Sequence, residues 1–317
     1  MKSRIFSILA VFACAGFLTS CNEDKQFEGE LYKKVIYLLS NEDYSFQTEH
    51  ALGEESEGYV TVYCGGTEHI KEDVKVVLEP YQDVLDEYNH ILFDLDESRY
   101  ARLLDPSHYT ISSYETTLKA SSADNYALLP IKIRPDGLCP DSTYMIPLRI
   151  KSVSNFEVNP KKEVVLYQVL LKNAYATTKT VTYYQMTGTE TVHMKSGDVA
   201  SGISVTRVVA PLLKNQVRMF VGTHSYTPSA VAKEEIAKYA MTITVNADNS
   251  LKITPYGDVE VEMIDDPESN VLTVDKKGNY VFKLHYRFKD TVTLNGVTET
   301  CWVTMNETNV QRKATNN

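Results

Sequence analysis

The sequence predicts an all-β protein: a β-sandwich followed by an up-and-down β-barrel with one short helix. Three observations carry this. Most apolar residues recur with a period of two in runs of four to eight, as half-buried strands require. Turn signals such as Gly65-Gly66, Pro135-Asp136-Gly137 and Asn295-Gly296 separate the runs. The chain also holds 21 tyrosines against one tryptophan, and tyrosine fits a pleated, amphipathic surface.

In the first half, strands are predicted over 34–39, 57–64 and 74–79, the last stopped at Pro80. The period then changes. Val84, Leu85, Tyr88, Ile91 and Leu92 fall near helical spacing, so residues 81–95 read as a helix. Ser98 is placed to cap a second short helix over 99–104, ended by Asp105-Pro106. Strands resume at 109–111, 126–133, 142–150 and 164–171. Some seven short strands over residues 34–172 make a sandwich.

The polar, aperiodic stretch 173–179 marks a domain boundary, and residues 173–317 form the barrel domain. Strands are predicted from 180–186, 204–209 and 216–221. Thr227 as N-cap and Pro228 at the first helical position open a helix running to Tyr239. Hairpins follow: 241–245 with 251–254, then 259–264, 271–274, 280–288, and 291–294 turning at Asn295-Gly296 into 297–305. Asn-Gly between alternating runs is the strongest short hairpin signal. A meander of this kind suits an up-and-down barrel.

The N-terminus has a different character. Lys2 and Arg4 precede an apolar run from Ile5 to Leu18, then Leu18-Thr19-Ser20-Cys21. This is the layout of a secretory signal peptide over residues 1–20. Its last four residues, Leu18 to Cys21, resemble the lipobox of bacterial lipoproteins, which implies Cys21 as the lipidated first residue of the mature chain. The apolar run is short for a membrane span, which needs about 20 residues. Residues 21–33 read as an acidic, solvated tether.

Composition narrows the function. The net charge is −10 without a basic cluster, which argues against a nucleic-acid partner. Of five cysteines, Cys14 leaves with the signal and Cys21 is acylated. Cys64, Cys139 and Cys301 remain, without a Cys-x-x-Cys pair. A Cys64–Cys139 bridge and buried free thiols both fit this pattern. No dinucleotide-binding, phosphate-loop, zinc-protease or nucleophile-elbow motif is present, and the seven histidines are scattered. No cofactor and no metal site are expected, and the protein is read as a non-enzyme. The acidic group Asp94-Leu95-Asp96-Glu97 reads as solvated loop charge. Asp258, Glu260 and Glu262 share one strand face, read as the wet side of a sheet, with a calcium site as the lesser alternative.

Aromatic residues remain as binding candidates, because a sugar offers C–H bonds to a ring face and hydroxyls to polar groups. His224 and Tyr226 precede the predicted helix, and Tyr256 follows a hairpin. Of Tyr183 and Tyr184, which point to opposite faces, Tyr184 is taken as the ligand-facing candidate. Trp302 lies in the last hairpin. Core packing is the competing reading, favoured for Trp302 and Tyr183.

Leu103-Leu104-Asp105-Pro106-Ser107-His108-Tyr109-Thr110-Ile111, Tyr144-Met145-Ile146-Pro147-Leu148-Arg149-Ile150-Lys151-Ser152 and the segment before Cys21 resemble surface lipoproteins of Bacteroidetes. Their N-terminal domain is immunoglobulin-like and also precedes some glycan-degrading enzymes of gut bacteria. Tyr183-Tyr184-Gln185-Met186-Thr187-Gly188-Thr189 and Val217-Arg218-Met219-Phe220-Val221-Gly222 resemble the uncharacterised C-terminal domain often joined to it, expected to be a calycin-like barrel. Lys119 to Asn125 departs from the family at a turn where a glycine is usual. The resemblance implies glycan capture beside a TonB-dependent transporter, at the exterior face of the outer membrane, and supplies no catalytic residues. Asp141-Ser142-Thr143 and Asp290-Thr291-Val292 also resemble the O-glycosylation signal of that phylum. The expected function is therefore a non-catalytic, glycan-binding surface lipoprotein. The alternatives are a structural or adhesin-like subunit that binds another protein, and a hydrolase built on an unrecognised carboxylate pair.

Overall fold

The computed structural model describes residues 32–227, 233–266 and 268–312. The proposed signal peptide, Cys21 and most of the acidic tether lie outside the described residues.

The first half is a sandwich of two sheets. Its strands are β1 (Val35–Leu38), β2 (Ser45–Ala51), β3 (Ser56–Gly65), β4 (Val74–Pro80), β5 (Arg102–Leu103) and β6 (Tyr109–Thr110). They continue with β7 (Glu115–Leu118), β8 (Tyr126–Ile133), β9 (Tyr144–Val153), β10 (Glu157–Val158) and β11 (Val164–Lys172). One sheet has the order β10-β1-β3-β8-β6; the other has β2-β11-β9-β4-β7, with β5 beside β9. The alternation in β8 shows why these residues make strands: Ala127, Leu129, Ile131 and Ile133 are buried, while the residues between them are exposed. They meet Val60, Val62, Leu148 and Val165 in a single apolar core.

Helix α1 (Asp83–Phe93) packs Val84 and Leu85 against Met145 and Leu166. Its buried Asn89 exchanges two hydrogen bonds with the backbone of Ala101, at 2.9 and 2.7 Å. That contact corrects the helix expected over 99–104. Only Glu97–Arg99 forms a 3-10 turn. Arg102 and Leu104 then donate their N–H groups to Thr143 and Met145, so the segment becomes β5. Pairing with a formed sheet outweighs the weak propensity of one helical turn. The sequence also hid β2 and β7, which are short, polar strands. No disulfide joins Cys64, Cys139 and Cys301 to one another, so the Cys64–Cys139 bridge is not formed.

Gly58 sits mid-strand in β3 for a packing reason. A methyl group there would overlap the Tyr167 hydroxyl. That hydroxyl lies 2.9 Å from His50 Nε2, and His50 Nδ1 lies 2.7 Å from Ser56 Oγ. His50 and Tyr167 are both fully buried, so the polar atoms of this trio satisfy one another inside the core.

The second half is an up-and-down barrel. Its strands are β12 (Thr182–Met194), β13 (Gly197–Leu213), β14 (Gln216–Phe220), β15 (Ala240–Val245) and β16 (Leu251–Pro255). They are followed by β17 (Val261–Met263), β18 (Val271–Val274), β19 (Tyr280–Leu294) and β20 (Val297–Gln311). β20 returns to pair antiparallel with β12. The opposite seam is joined where Leu251 donates to the Asn270 carbonyl and Leu272 to that of Asn249, both at 2.8 Å. The runs expected at 280–288 and 291–294 are one continuous strand. Asn295 and Gly296 carry the positive φ values, 52° and 79°, that a two-residue hairpin turn requires. The four long strands β12, β13, β19 and β20 overhang the five- and six-residue strands β14, β15 and β16. Helix α2 (Lys233–Tyr239) covers the outer wall with Ile236. The expected start of this helix, Pro228 to Ala232, lies outside the described residues.

One buried ion pair joins the halves. Arg218, fully buried on the outside of β14, donates from both terminal nitrogens to Asp141 of the sandwich at 2.5 and 2.6 Å. Its guanidinium carbon lies 5.6 Å from the Tyr226 ring centre and 5.2 Å from that of Tyr256. Asn173 of the linker donates to the Leu213 and Gln216 carbonyls, each at 2.8 Å.

Two outcomes are expected. Gly58→Ala forces the Tyr167 hydroxyl aside and lowers stability by about 2–3 kcal/mol in urea denaturation. Burial, with Lys172 adding, lowers the pKa of His50 from 6.5 to about 4. The unfolded chain then binds a proton that the folded chain refuses between those values. Stability therefore falls as pH drops from 6.5 towards 4, by roughly 3 kcal/mol at the bottom of that window. Urea midpoints measured against pH should show this slope in the wild type and lose it in His50→Asn, which starts from a lower midpoint.

Candidate functional site

The site is built outward from the barrel interior. Alternation turns Arg207 of β13, Tyr286 of β19 and Glu307 and Asn309 of β20 inward, where all four are buried. Arg207 forms an ion pair with Glu307. Desolvation works against the Arg207 charge, but Glu307 and then Tyr286 more than offset it, so its pKa is raised. Asn309 donates to Glu307 at 3.1 Å. Burial pushes the Tyr286 hydroxyl up, so it stays protonated; it donates to Glu307 at 3.3 Å.

This network grips a loop. Gly222 donates its N–H to the Tyr286 hydroxyl at 2.9 Å, and its carbonyl accepts from Arg207. Gly222 has φ 56°, and a side chain there would strike the Phe288 ring. Only glycine meets both demands. The next two residues, Thr223 and His224, are thereby held over the barrel mouth.

There they line an open cleft of about 260 Å³. Val192, Phe288 and Val303 make an apolar floor beside Glu190 and Asp290, while the Thr291 and Thr293 hydroxyls turn to the other strand face and meet those of Thr300 and Thr298 at 2.9 and 2.8 Å. His224 Nε2 lies 2.6 Å from Asp290 Oδ2, and the other Asp290 oxygen accepts the Thr291 N–H at 2.8 Å. The His224 ring stacks on Tyr239, with ring centres 3.8 Å apart. Burial raises the Glu190 carboxyl above its ordinary value; His224 opposes this and Asp290 adds to it.

Of the aromatic candidates, His224 alone stands in this cleft. Tyr226 is buried against Phe220, ring centres 4.5 Å apart, and with Tyr256 flanks Arg218 at the domain junction. Tyr184 is fully buried in the barrel, its hydroxyl donating to the Tyr175 carbonyl at 2.9 Å. It is Tyr183 that faces solvent, 43% exposed. The register of β12 sets the two faces, and the dipeptide alone could not. Trp302 is on the outer wall, neither in the core nor in the cleft, with the Arg287 guanidinium carbon 4.5 Å and the Lys289 nitrogen 5.3 Å from its ring centre. Those cations pair with Glu262 and Glu260, which engages two of the three carboxylates considered for calcium. Asp141 and Asp290, the first residues of the two modification-like triplets, hold Arg218 and His224.

Glu190 and Asp290 escaped the sequence reading as cleft residues. A signal was present: each is a carboxylate at an inward position between Gly188 and Val192, or between Phe288 and Val292.

The class of protein is thus a two-domain all-β protein, a sandwich clamped to a barrel whose mouth holds a polar cleft. Comparisons agree with this architecture. One family model, described as an N-terminal domain, matches residues 32–157, and another, described as C-terminal, matches residues 163–308. The second reaches back across β11, a strand of the sandwich. No curated protein matches the chain. A protein of unknown function from Bacteroides ovatus is similar in structure at 13% identity and TM-score 0.65, over 89% of this chain and 95% of that one. A multidomain protein including DUF1735, from the same species, is similar at 14% identity and TM-score 0.62, over 87% and 94%. An auxiliary nutrient binding protein from Bacteroides thetaiotaomicron is similar at 12% identity and TM-score 0.57, over 86% and 94%. At these identities the likeness is one of fold.

Glu307→Gln leaves the Arg207 charge buried without its counter-ion, and should cost about 3–5 kcal/mol in chemical denaturation. Asp141→Asn should cost less and instead loosen the two domains, read as faster proteolysis near residues 173–179 and a larger radius in small-angle scattering.

Proposed function

We propose that this protein is a non-catalytic glycan-binding lipoprotein of the cell surface, anchored through Cys21 to the exterior face of the outer membrane, with the barrel-mouth cleft as its sugar site. One observation carries the reading. The cleft combines an apolar floor with carboxylate and imidazole groups, and a sugar ring presents both kinds of surface. The N-terminal layout supports export, and the fold shared with a protein described as nutrient binding is in keeping with capture. A role beside a TonB-dependent transporter belongs to the same proposal.

A second reading, attachment to another protein, draws on a different surface. Tyr37, Tyr63 and Tyr126 occupy directly paired positions across β1, β3 and β8. Tyr59 and Leu128 are exposed nearby on the same face. Co-purification of outer-membrane proteins that is lost on Tyr63→Ser and Tyr126→Ser would favour it.

The glycan reading is tested by titrating the folded mature chain against a panel of host and plant polysaccharides. Binding is expected to at least one, and His224→Ala and Asp290→Ala should each weaken it by about tenfold or more. Absence of binding to every member counts against the proposal, as does binding that ignores both substitutions. For the anchor, Cys21→Ser should release the protein from the membrane fraction.

A further inference from the structure

Resting on the reading of the cleft as a sugar site, we infer that it selects glycans carrying a free, protonated amine, such as de-N-acetylated hexosamines, and rejects acidic glycans.

Negative charge in the cleft is unmatched. The two cleft carboxylates differ in their partners. Asp290 is committed on both oxygens, to His224 and to the Thr291 N–H. The Glu190 carboxyl makes no hydrogen bond or ion pair with a described residue, and what acts on it is burial and the charges of His224 and Asp290. Among the described residues no lysine or arginine lines the cleft. The nearby Lys238 nitrogen lies over the Tyr239 ring, 4.7 Å from its centre, on the ring against which His224 stacks.

A ligand enters this field with one of three charges. A uronate or sulfate meets Glu190 and Asp290 with no lysine or arginine among the described lining residues to receive it, and with His224 already engaged by Asp290, so approach is unfavourable. A neutral sugar gives Glu190 hydroxyl donors and leaves its charge uncompensated. An ammonium supplies donors and the missing positive charge together, and a charge-assisted hydrogen bond is about twice as strong as a neutral one. The floor of Val192, Phe288 and Val303 serves the sugar ring in each case, so the discrimination comes from Glu190.

The test is calorimetric titration of the mature chain with short, defined glucosamine oligosaccharides, their N-acetylated counterparts, and oligogalacturonates. The free amines should bind about tenfold or more tighter than the acetylated forms, and the uronates should not bind. Glu190→Gln keeps the shape of the side chain and should abolish the amine preference while retaining the acetylated ligands. Glu87→Gln, an exposed change on α1, removes the same formal charge and should leave the preference intact, which separates the cleft from general attraction to an acidic protein. Equal affinity for amine and acetylated forms, or a preference that survives Glu190→Gln, overturns this inference and leaves the sugar site standing. No binding of any sugar by the folded chain overturns both.

Discussion

The ion pair between Arg207 and Glu307 is the constraint on which the barrel mouth depends. Two opposite charges in an apolar interior are costly to desolvate and tolerable only with full hydrogen bonding. Here Tyr286, Asn309 and the backbone of Gly222 supply the bonds to the charged pair, while Asn309 Oδ1 has no partner among the described residues. The last of these partners matters most for the site. By recruiting a loop residue to complete its shell, the buried pair fixes the chain that carries Thr223 and His224. A polar core network, which contributes little net stability by itself, thus becomes the device that shapes the cleft.

A second buried arginine does a similar job between domains. Arg218 meets Asp141 in the two-pronged geometry that suits a guanidinium and a carboxylate. Two tyrosines that could have served a ligand pack beside it instead. The sandwich and the barrel are therefore joined by a directional contact as well as by the linker, and the linker itself is tied down by Asn173.

The fold was legible in the sequence because strand periodicity and turn chemistry are local. Asn295-Gly296 announced its hairpin, and β8 announced its buried face residue by residue. The failures had a common cause: they depended on partners distant in sequence. Arg102 and Leu103 became a strand because β9 was there to pair with, and β2 is a strand because β11 is. The site was less legible for the same reason. Whether Tyr184 or Tyr183 faced solvent was set by the register of β12 against β13 and β20. Tyr226 and Tyr256 looked like free loop aromatics until the other domain placed Asp141 opposite Arg218. Glu190 and Asp290 look like ordinary strand acids until the barrel closes and turns them towards one another.

The unequal strand lengths around the barrel have one more consequence. β12, β13, β19 and β20 rise well past their neighbours, whereas β14, β15 and β16 stop early. The mouth is consequently a half-pipe with one tall wall, and not a cup. A cup accepts only what fits within its rim, or the tip of something longer. A half-pipe lets a long polymer lie across it with both ends running on into solvent, so that an interior unit of the chain can rest against the wall without any terminus being presented.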